Sequence, residues 1–552
     1  MAGTPRGFRD ILTEEAVARE RISDTVRAAF SARGYLPIET PLMEDRSELE
    51  RGGRIKGSPF HLFDSDGHML MLRPDVTLPV ARLAASRISA GELPARLRYA
   101  APVVREQASL RGQPRQFTQL GVEHIGRDGS LAEVEVLTLL SEALAALGIE
   151  GWHVVMGSVV PLKALLDCRA PSAAFRDEAL ALVHQSDLVA LDGLVASAGL
   201  EPAVARAISR LPRVSGGPDA IDEMDALLEA AGVPGAQRGT AELRDLLAAL
   251  PAGLVEGHLS LDLSIINSFD YYTSIVFKAY VDGVAAGIGS GGRYDAVLAN
   301  MGMPGVAACG FALSLERLQE ALGERGASGI AVPVTDGSRR LRIAVPKGSL
   351  FKDSVRVLEA AGLPVDDLRE PGRKLIVQAD DVEYIIVRAQ DAPAFVALGG
   401  ADCGICGSDS LFEANVDLLT LVDLRYGGCR FVVAEPADAA GAADRAYAWR
   451  GTERVATKYP RITQAHYDRI GRQVEIVALH GNIELGPIVR IADRIVDITA
   501  TGTTLRENDL VVVDDVMECT ARFFAGPAAY RCDRRVRDLA QRLESVSKGE
   551  GE

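Results

Sequence analysis

Between Arg325 and Ser338 the hydrophobic pattern of the chain lapses. Arg325-Gly-Ala-Ser-Gly and Val334-Thr-Asp-Gly-Ser338 are runs of small and turn-forming residues, and Leu341-Arg-Ile-Ala-Val345 at once starts a buried-strand pattern. A chain of 552 residues is too long for one hydrophobic core, and length alone suggests three or four domains. The lapse predicts one body over residues 1–324, a linker at 325–340 and a second body over 341–552. The net charge of −16 argues against a large nucleic-acid footprint, which needs a basic surface. No apolar run has membrane-spanning length and no charged–apolar–small signal opens the chain, which predicts a cytoplasmic protein without a membrane partner. Seven scattered cysteines make no disulfide framework. Cys403-Gly-Ile-Cys406 has the spacing of a redox or metal motif, but its glycine and apolar flanks predict a buried strand end.

In the second body, strand and helix patterns alternate. Strands are expected at Leu341–Val345, Leu375–Val377, Tyr384–Val387 and Phe431–Ala434, with helices at Phe351–Ala361 and Ala394–Leu398. This alternation predicts a parallel or mixed sheet covered by helices on both faces, with ligands gathering at the C-terminal strand edges. The strand-like Arg494-Ile-Val-Asp497 is followed by Thr501-Gly502-Thr503-Thr504-Leu505. Gly502 frees the backbone, the threonines add hydroxyl donors, and a following helix would aim its N-terminus at the same point. That is the chemistry of a phosphate cradle, with Asp497 placed for ribose hydroxyls or a magnesium ion. Lys347, after the first strand, can meet an anion in the same way.

In the first body, an amphipathic helix is expected over Thr13–Arg33. A helix is expected after Leu72-Arg-Pro-Asp-Val-Thr77, and strands at Arg98–Val104 and Arg115–Val122 enclose a Gly- and Arg-containing loop. Residues 150–260 are rich in Ala and Leu at helical spacing, as in Val189–Leu200 and Ala241–Leu250, and read as a helical insertion with a packing role.

Six ordered motifs in the first body resemble the class II histidyl-tRNA synthetase core. They are Pro5-Arg-Gly-Phe-Arg-Asp10, Leu72-Arg-Pro-Asp-Val-Thr77, Gln116-Phe-Thr-Gln-Leu-Gly-Val-Glu123, Asp270-Tyr-Tyr-Thr273, Gly291-Gly-Arg-Tyr-Asp295 and Gly310-Phe-Ala-Leu-Ser-Leu-Glu-Arg317. The resemblance implies an antiparallel sheet with helices and a histidine pocket lined by Asp75, Thr77, Gln119, Glu123, Tyr271 and Tyr272. Two departures suggest a core retired from aminoacylation. Arg105 is kept, but the second arginine of its motif is Ala108, and Asn267 replaces the arginine expected to stabilise adenylation. An Asn supplies no positive charge to a phosphate. With no anticodon-binding domain following, the region is similar to the regulatory subunit that partners short-form ATP phosphoribosyltransferase.

Residues 341–546 resemble the catalytic subunit of that enzyme. The matching stretches include Val345-Pro-Lys-Gly348, Gly372-Arg-Lys-Leu375, Arg388-Ala-Gln-Asp391, Ala401-Asp-Cys-Gly-Ile-Cys-Gly-Ser-Asp409, Val455-Ala-Thr-Lys-Tyr-Pro460, Ile483-Glu-Leu-Gly-Pro487 and Thr501-Gly-Thr-Thr-Leu-Arg-Glu-Asn508. The implied fold is a two-lobed α/β domain like a periplasmic binding protein. The implied reaction is attack of ATP on phosphoribosyl pyrophosphate, the first step of histidine biosynthesis. It would assign Arg373, Arg388 and Lys458 to catalysis. Phosphoribosyl pyrophosphate falls to Asp497 and Thr501–Leu505, and ATP to Lys347, Gly348, Asp409, Arg430 and Tyr459. Magnesium would travel with pyrophosphate, with no dedicated protein metal site. Histidine is expected as an inhibitor on the first body, and homo-oligomers are expected. The family often has Arg where Ser349 stands and usually Gly in the segment of Arg490, which adds charge near the cleft. Val511-Val-Val-Asp514-Asp515-Val516 also looks like the fingerprint of type I phosphoribosyltransferases. The Thr-Gly-x-Thr that should follow is missing, so Asp514 and Asp515 read as solvated strand-edge charges. The rival readings are a histidyl-tRNA synthetase-like or histidine-binding protein with an appended nucleotide-binding domain, and a non-catalytic binding clamshell.

Overall fold

The computed structural model describes residues 3–53, 60–106, 114–266, 272–323, 339–439, 441–499 and 503–549. The chain forms two compact units, Met1–Ser338 and Arg339–Glu552.

The first unit is built on a nine-stranded sheet. Its spatial order is Leu36–Pro37, Ala95–Val104, Gln116–Ile125, Ala308–Ser314, Gly289–Arg293, Ile275–Val281, Trp152–Ser158, Leu259–Asp262 and Ser215–Gly216. The pairing is antiparallel except at Leu36–Pro37 with Ala95–Val104 and at Trp152–Ser158 with Leu259–Asp262. The helix Thr13–Ala32 buries Ile22, Val26 and Phe30, and Phe30 meets Phe311 of the sheet edge-on at 5.6 Å. The helical insertion is shorter than its composition suggests. Val154, Val155 and Met156 are buried on both faces of a central strand, so residues 152–158 and 259–262 belong to the main sheet. The small apolar run Val-Val-Met was masked by its helical neighbours.

In the second unit we number the strands β1 (Leu341–Lys347), β2 (Ile376–Ala379), β3 (Val382–Arg388), β4 (Cys403–Gly407), β5 (Leu419–Asp423), β6 (Cys429–Pro436), β7 (Glu453–Thr457), β8 (Val474–Ala478), β9 (Arg494–Thr499), β10 (Leu510–Cys519) and β11 (Ala521–Ala525). They form two mixed sheets, in the orders β2-β3-β1-β4-β11-β5 and β8-β7-β9-β6-β10. Each sheet is the centre of one lobe and carries apolar cores on both faces. Ile343 and Val345 face one core of the first lobe and Ala344 faces the other. Phe431 and Val432 divide likewise in the second lobe. This is the two-period pattern of strands buried on both sides. Cys403 and Cys406 lie on opposite faces of β4, both buried, so their spacing serves packing. The chain crosses between the lobes twice, after β5 and after β10. The crossings are tied together where Leu424 N–H donates to the Ala521 carbonyl at 2.9 Å and Thr520 Oγ1 donates to Asp423 Oδ1 at 2.7 Å.

Candidate active site

The first lobe collects its polar residues at the C-terminal edge of β1, β3 and β4. β1 and β3 run parallel, and their register sets Lys347 directly beside Arg388, both exposed at the last position of their strands. Gly348 follows at φ 100°, a left-handed conformation that turns the chain away at once. Arg373 is exposed in the turn before β2, which runs antiparallel to β3 and so starts at the same edge. Asp409 sits in the first turn of helix α1 (Ser408–Ala414) and is 8% exposed. A Cβ on Gly407 would lie 2.0 Å from Asp409 Oδ1, so the glycine makes room for the carboxylate to fold back over the strand end. Burial pushes the Asp409 carboxyl up from its ordinary value, against the pull of hydrogen bonds from Ser410 and its own backbone.

The second lobe does the same at β7 and β9. These strands are parallel with Thr457 opposite Val496, so the next residues, Lys458 and Asp497, stand side by side. Lys458 is exposed, whereas Asp497 is 8% exposed and accepts from Ile498 N–H at 2.8 Å. Burial raises the Asp497 carboxyl, and the Ile498 bond and the Lys458 charge pull it part of the way back. Ala500, Thr501 and Gly502 lie outside the described residues. Helix Thr503–Glu507 follows, with Leu505 packed beneath it in the core of β6 and β9. The helix expected after Gly502 is thus present. Arg430, on β6 opposite Thr499, donates to Asp515 Oδ1 on β10 at 2.9 Å. β10 is the edge strand, and Asp514 and Asp515 are exposed there as expected. Both have partners, since Asp514 lies 3.3 Å from His466 Nε2.

Tyr459 joins the two edges. It is 7% exposed, leaves β7 after Lys458, and immediately precedes helix α2 (Pro460–Arg469). Burial, with the carboxylates of Asp409 across the cleft and Asp497 on its own lobe, pushes its hydroxyl up to about 12, and a hydrogen bond with Gln390 of the first lobe opposes them. Gln390 lies within the Arg388-Ala-Gln-Asp motif, yet its reach across the cleft depends on lobe packing and is invisible in the motif. Among the described residues there is no group of three or more His, Cys, Asp or Glu that could hold a metal ion. Two separated, desolvated carboxylates suit a magnesium ion carried by substrate oxygens better than a protein cage.

Asp75, Thr77, Gln119 and Glu123, four of the residues expected to line a histidine pocket, converge in the first unit. Glu123 is buried on strand Gln116–Ile125. Its Oε1 accepts from Thr77 Oγ1 at 2.8 Å and from the Tyr99 hydroxyl at 3.1 Å, and its Oε2 from the Tyr294 hydroxyl. A Cβ at Gly310 would lie 2.0 Å from Glu123 Oε2, so only glycine fits beneath the carboxylate. Gln119, four positions back on the same strand face, accepts from Val76 N–H at 3.1 Å, and Asp75 accepts from Leu78 N–H at 3.0 Å. The Tyr272 ring packs over Gly292. Tyr271, Asn267 and Ala108 lie outside the described residues. Burial drives the Glu123 carboxyl up to about 7, with the three hydroxyls pulling it down and Asp75 adding to the rise. Tyr99 and Tyr294 were not singled out in the sequence, although Tyr294 belongs to the Gly291–Asp295 motif.

The histidyl-tRNA synthetase family model matches residues 7–318, and the ATP phosphoribosyltransferase model matches residues 388–545. An ATP phosphoribosyltransferase of Rubrobacter xylanophilus is 50% identical over 193 residues, covering 35% of this chain and 89% of that protein. An ATP phosphoribosyltransferase regulatory subunit of Moorella thermoacetica is 38% identical over 330 residues, 59% of this chain and 84% of that protein. A solved structure described as an ATP phosphoribosyltransferase regulatory subunit/histidyl-tRNA synthetase from Bacillus halodurans C superposes with a TM-score of 0.55 at 27% identity, covering 70% of this chain and 99% of that one. Fold, cleft and likeness define a pentosyltransferase whose two-lobed α/β unit shares its chain with a class II synthetase-like unit. The chain belongs to the ATP phosphoribosyltransferase family of histidine biosynthesis, uniting a catalytic region with a histidyl-tRNA synthetase-like regulatory region.

Proposed function

We propose that the cleft of the second unit joins N1 of ATP to C1 of the ribose of phosphoribosyl pyrophosphate, releasing pyrophosphate, and that histidine bound in the first unit restrains it. The observation that carries the reading is the tie between the lobes beside Lys458 and Tyr459, where Glu413 of α1 accepts from Arg461 N–H at 3.1 Å and from Ile462 N–H at 3.2 Å at the start of α2. The C-terminal edges of both sheets therefore serve one site. The reaction joins two polyanions and expels a third, so positioning and charge neutralisation outweigh proton transfer. Lys347, Arg388 and Arg373 face the phosphates from one lobe and Lys458 from the other. Asp497 takes a ribose diol, and the segment 501–505 takes the 5-phosphate. Arg430 reaches substrate by exchanging its bond to Asp515. Asp409 and Asp497 could help to hold a magnesium ion, which would supply charge neutralisation of the pyrophosphate oxygens. In the first unit, Asp75, Thr77 and Gln119 suit an α-ammonium, and Glu123 with Tyr272 suits an imidazole. Leu36 and Phe63, 66% and 69% exposed on the first unit, suit self-association of the chain.

The test is to mix the full chain with ATP, phosphoribosyl pyrophosphate and Mg²⁺ and follow phosphoribosyl-ATP. Asp497→Ala should raise the KM for phosphoribosyl pyrophosphate at least ~tenfold, the scale of a lost charge-assisted contact. Absence of product from the wild type would refute the reading. Histidine-dependent exchange of pyrophosphate into ATP would instead favour a synthetase.

A further inference from the structure

Helix α2 begins without a cap of its own. Tyr459 makes no side-chain capping bond, and Pro460 has no N–H to offer. The next two amides are taken by a residue of the other lobe. Arg461 N–H donates to Glu413 Oε1 at 3.1 Å and Oε2 at 3.2 Å, and Ile462 N–H donates to Glu413 Oε2 at 3.2 Å. A second tie lies beside it. In the amide orientation that satisfies both groups, the Asn415 oxygen accepts from Arg461 Nη1 at 3.3 Å and Nη2 at 3.1 Å.

The geometry points to Glu413 as a positioning residue for phosphoribosyl transfer, holding the start of helix α2, and with it Lys458 and Tyr459, against the opposite lobe. Asp409 and Glu413 are four residues apart on α1, so the helix face that carries Asp409 also carries the carboxylate bound to the start of α2. A carboxylate at a helix N-terminus is favoured by the partial positive charge there and by charge-assisted bonds. Across two lobes, the same bonds set how far Lys458 stands from Lys347 and Arg388. Glu413 touches no reacting atom in this scheme. It acts through Tyr459 and Lys458, and the inference rests on the function proposed above.

The full chain carries the test. Wild type, Glu413→Ala and Glu413→Gln are compared for kcat, for KM of both substrates, for thermal midpoint and for hydrogen exchange at Arg461 and Ile462. Glu413→Ala is expected to lose roughly ten- to hundredfold in kcat, the scale of a small misplacement, with each KM moving less than ~threefold. Its Arg461 and Ile462 amides should exchange faster, and added formate or acetate, but not chloride, should restore part of kcat. Glu413→Gln keeps one acceptor oxygen and should fall between. Wild-type kcat in Glu413→Ala, or a loss fully explained by fewer folded molecules, overturns the proposal. If the wild type itself makes no phosphoribosyl-ATP, the functional reading fails first, and unchanged amide exchange in Glu413→Ala would overturn the contact separately.

Discussion

Arg490 stands at φ 61°, in the left-handed region where an L side chain is strained. It follows helix Leu485–Ile488 in a Schellman arrangement, with Ile491 N–H donating to the Gly486 carbonyl at 3.0 Å and Arg490 N–H to the Pro487 carbonyl at 3.1 Å. That position calls for glycine, which is the physical sense of the glycine expected in this segment. Arg490→Gly should stabilise the second unit by about 0.5–1 kcal/mol, read as a shift in urea midpoint. Glu123 gives a second residue-scale prediction. Its carboxyl rises from 4.5 to about 7 on folding. The folded state therefore holds this proton more tightly than the unfolded state, and stability falls as pH rises between those values, then levels. In Glu123→Gln that slope should vanish. Unfolding of the first unit measured from pH 4 to pH 8, or exchange of the strand amides at 116–125, would show it.

At the scale of elements, the second lobe is knit by a buried ionic cluster. Arg494, 6% exposed on β9, donates to Glu435 at 2.8 Å, to Glu453 at 3.1 Å and to Asp444 at 2.9 Å. Glu453 also accepts from the Tyr467 hydroxyl at 2.9 Å and pairs with Arg472 at 2.9 Å. Removing the central cation leaves buried Glu435 without its cation and Glu453 with Arg472 alone, so Arg494→Met should cost about 3–5 kcal/mol by denaturant unfolding, with much of the loss recovered when Glu435 and Glu453 become Gln. Nothing local in Arg494-Ile-Val-Asp announced this, because its partners come from three other elements. By contrast, β10 was legible. Asp514 and Asp515, with no glycine after them, occupy an edge strand, and the pairing of Asp515 with Arg430 was the part that needed the sheet order.

At the scale of the whole molecule, the proposed regulation by histidine would be a coupling free energy and would have to be reciprocal. If histidine weakens phosphoribosyl pyrophosphate binding by about fivefold or more, that substrate must weaken histidine by the same factor. Calorimetric titration of histidine with and without the sugar donor checks this, and equal affinities in both would remove binding antagonism as the route. Glu123→Gln should abolish the response without lowering turnover in the absence of histidine.

Periodicity and turn chemistry in the sequence determined many of the strands and helices of this protein, though not the strands Trp152–Ser158 and Leu259–Asp262, and the order of motifs determined its family. Both are local properties, written in two- and 3.6-residue spacings and in glycine, proline and threonine at turns. Strand register and lobe packing alone decided that Lys347 stands beside Arg388, that Glu413 meets the start of α2, and that Tyr99 and Tyr294 close on Glu123. Such meetings depend on summed packing between segments far apart in the chain, which no local spacing encodes.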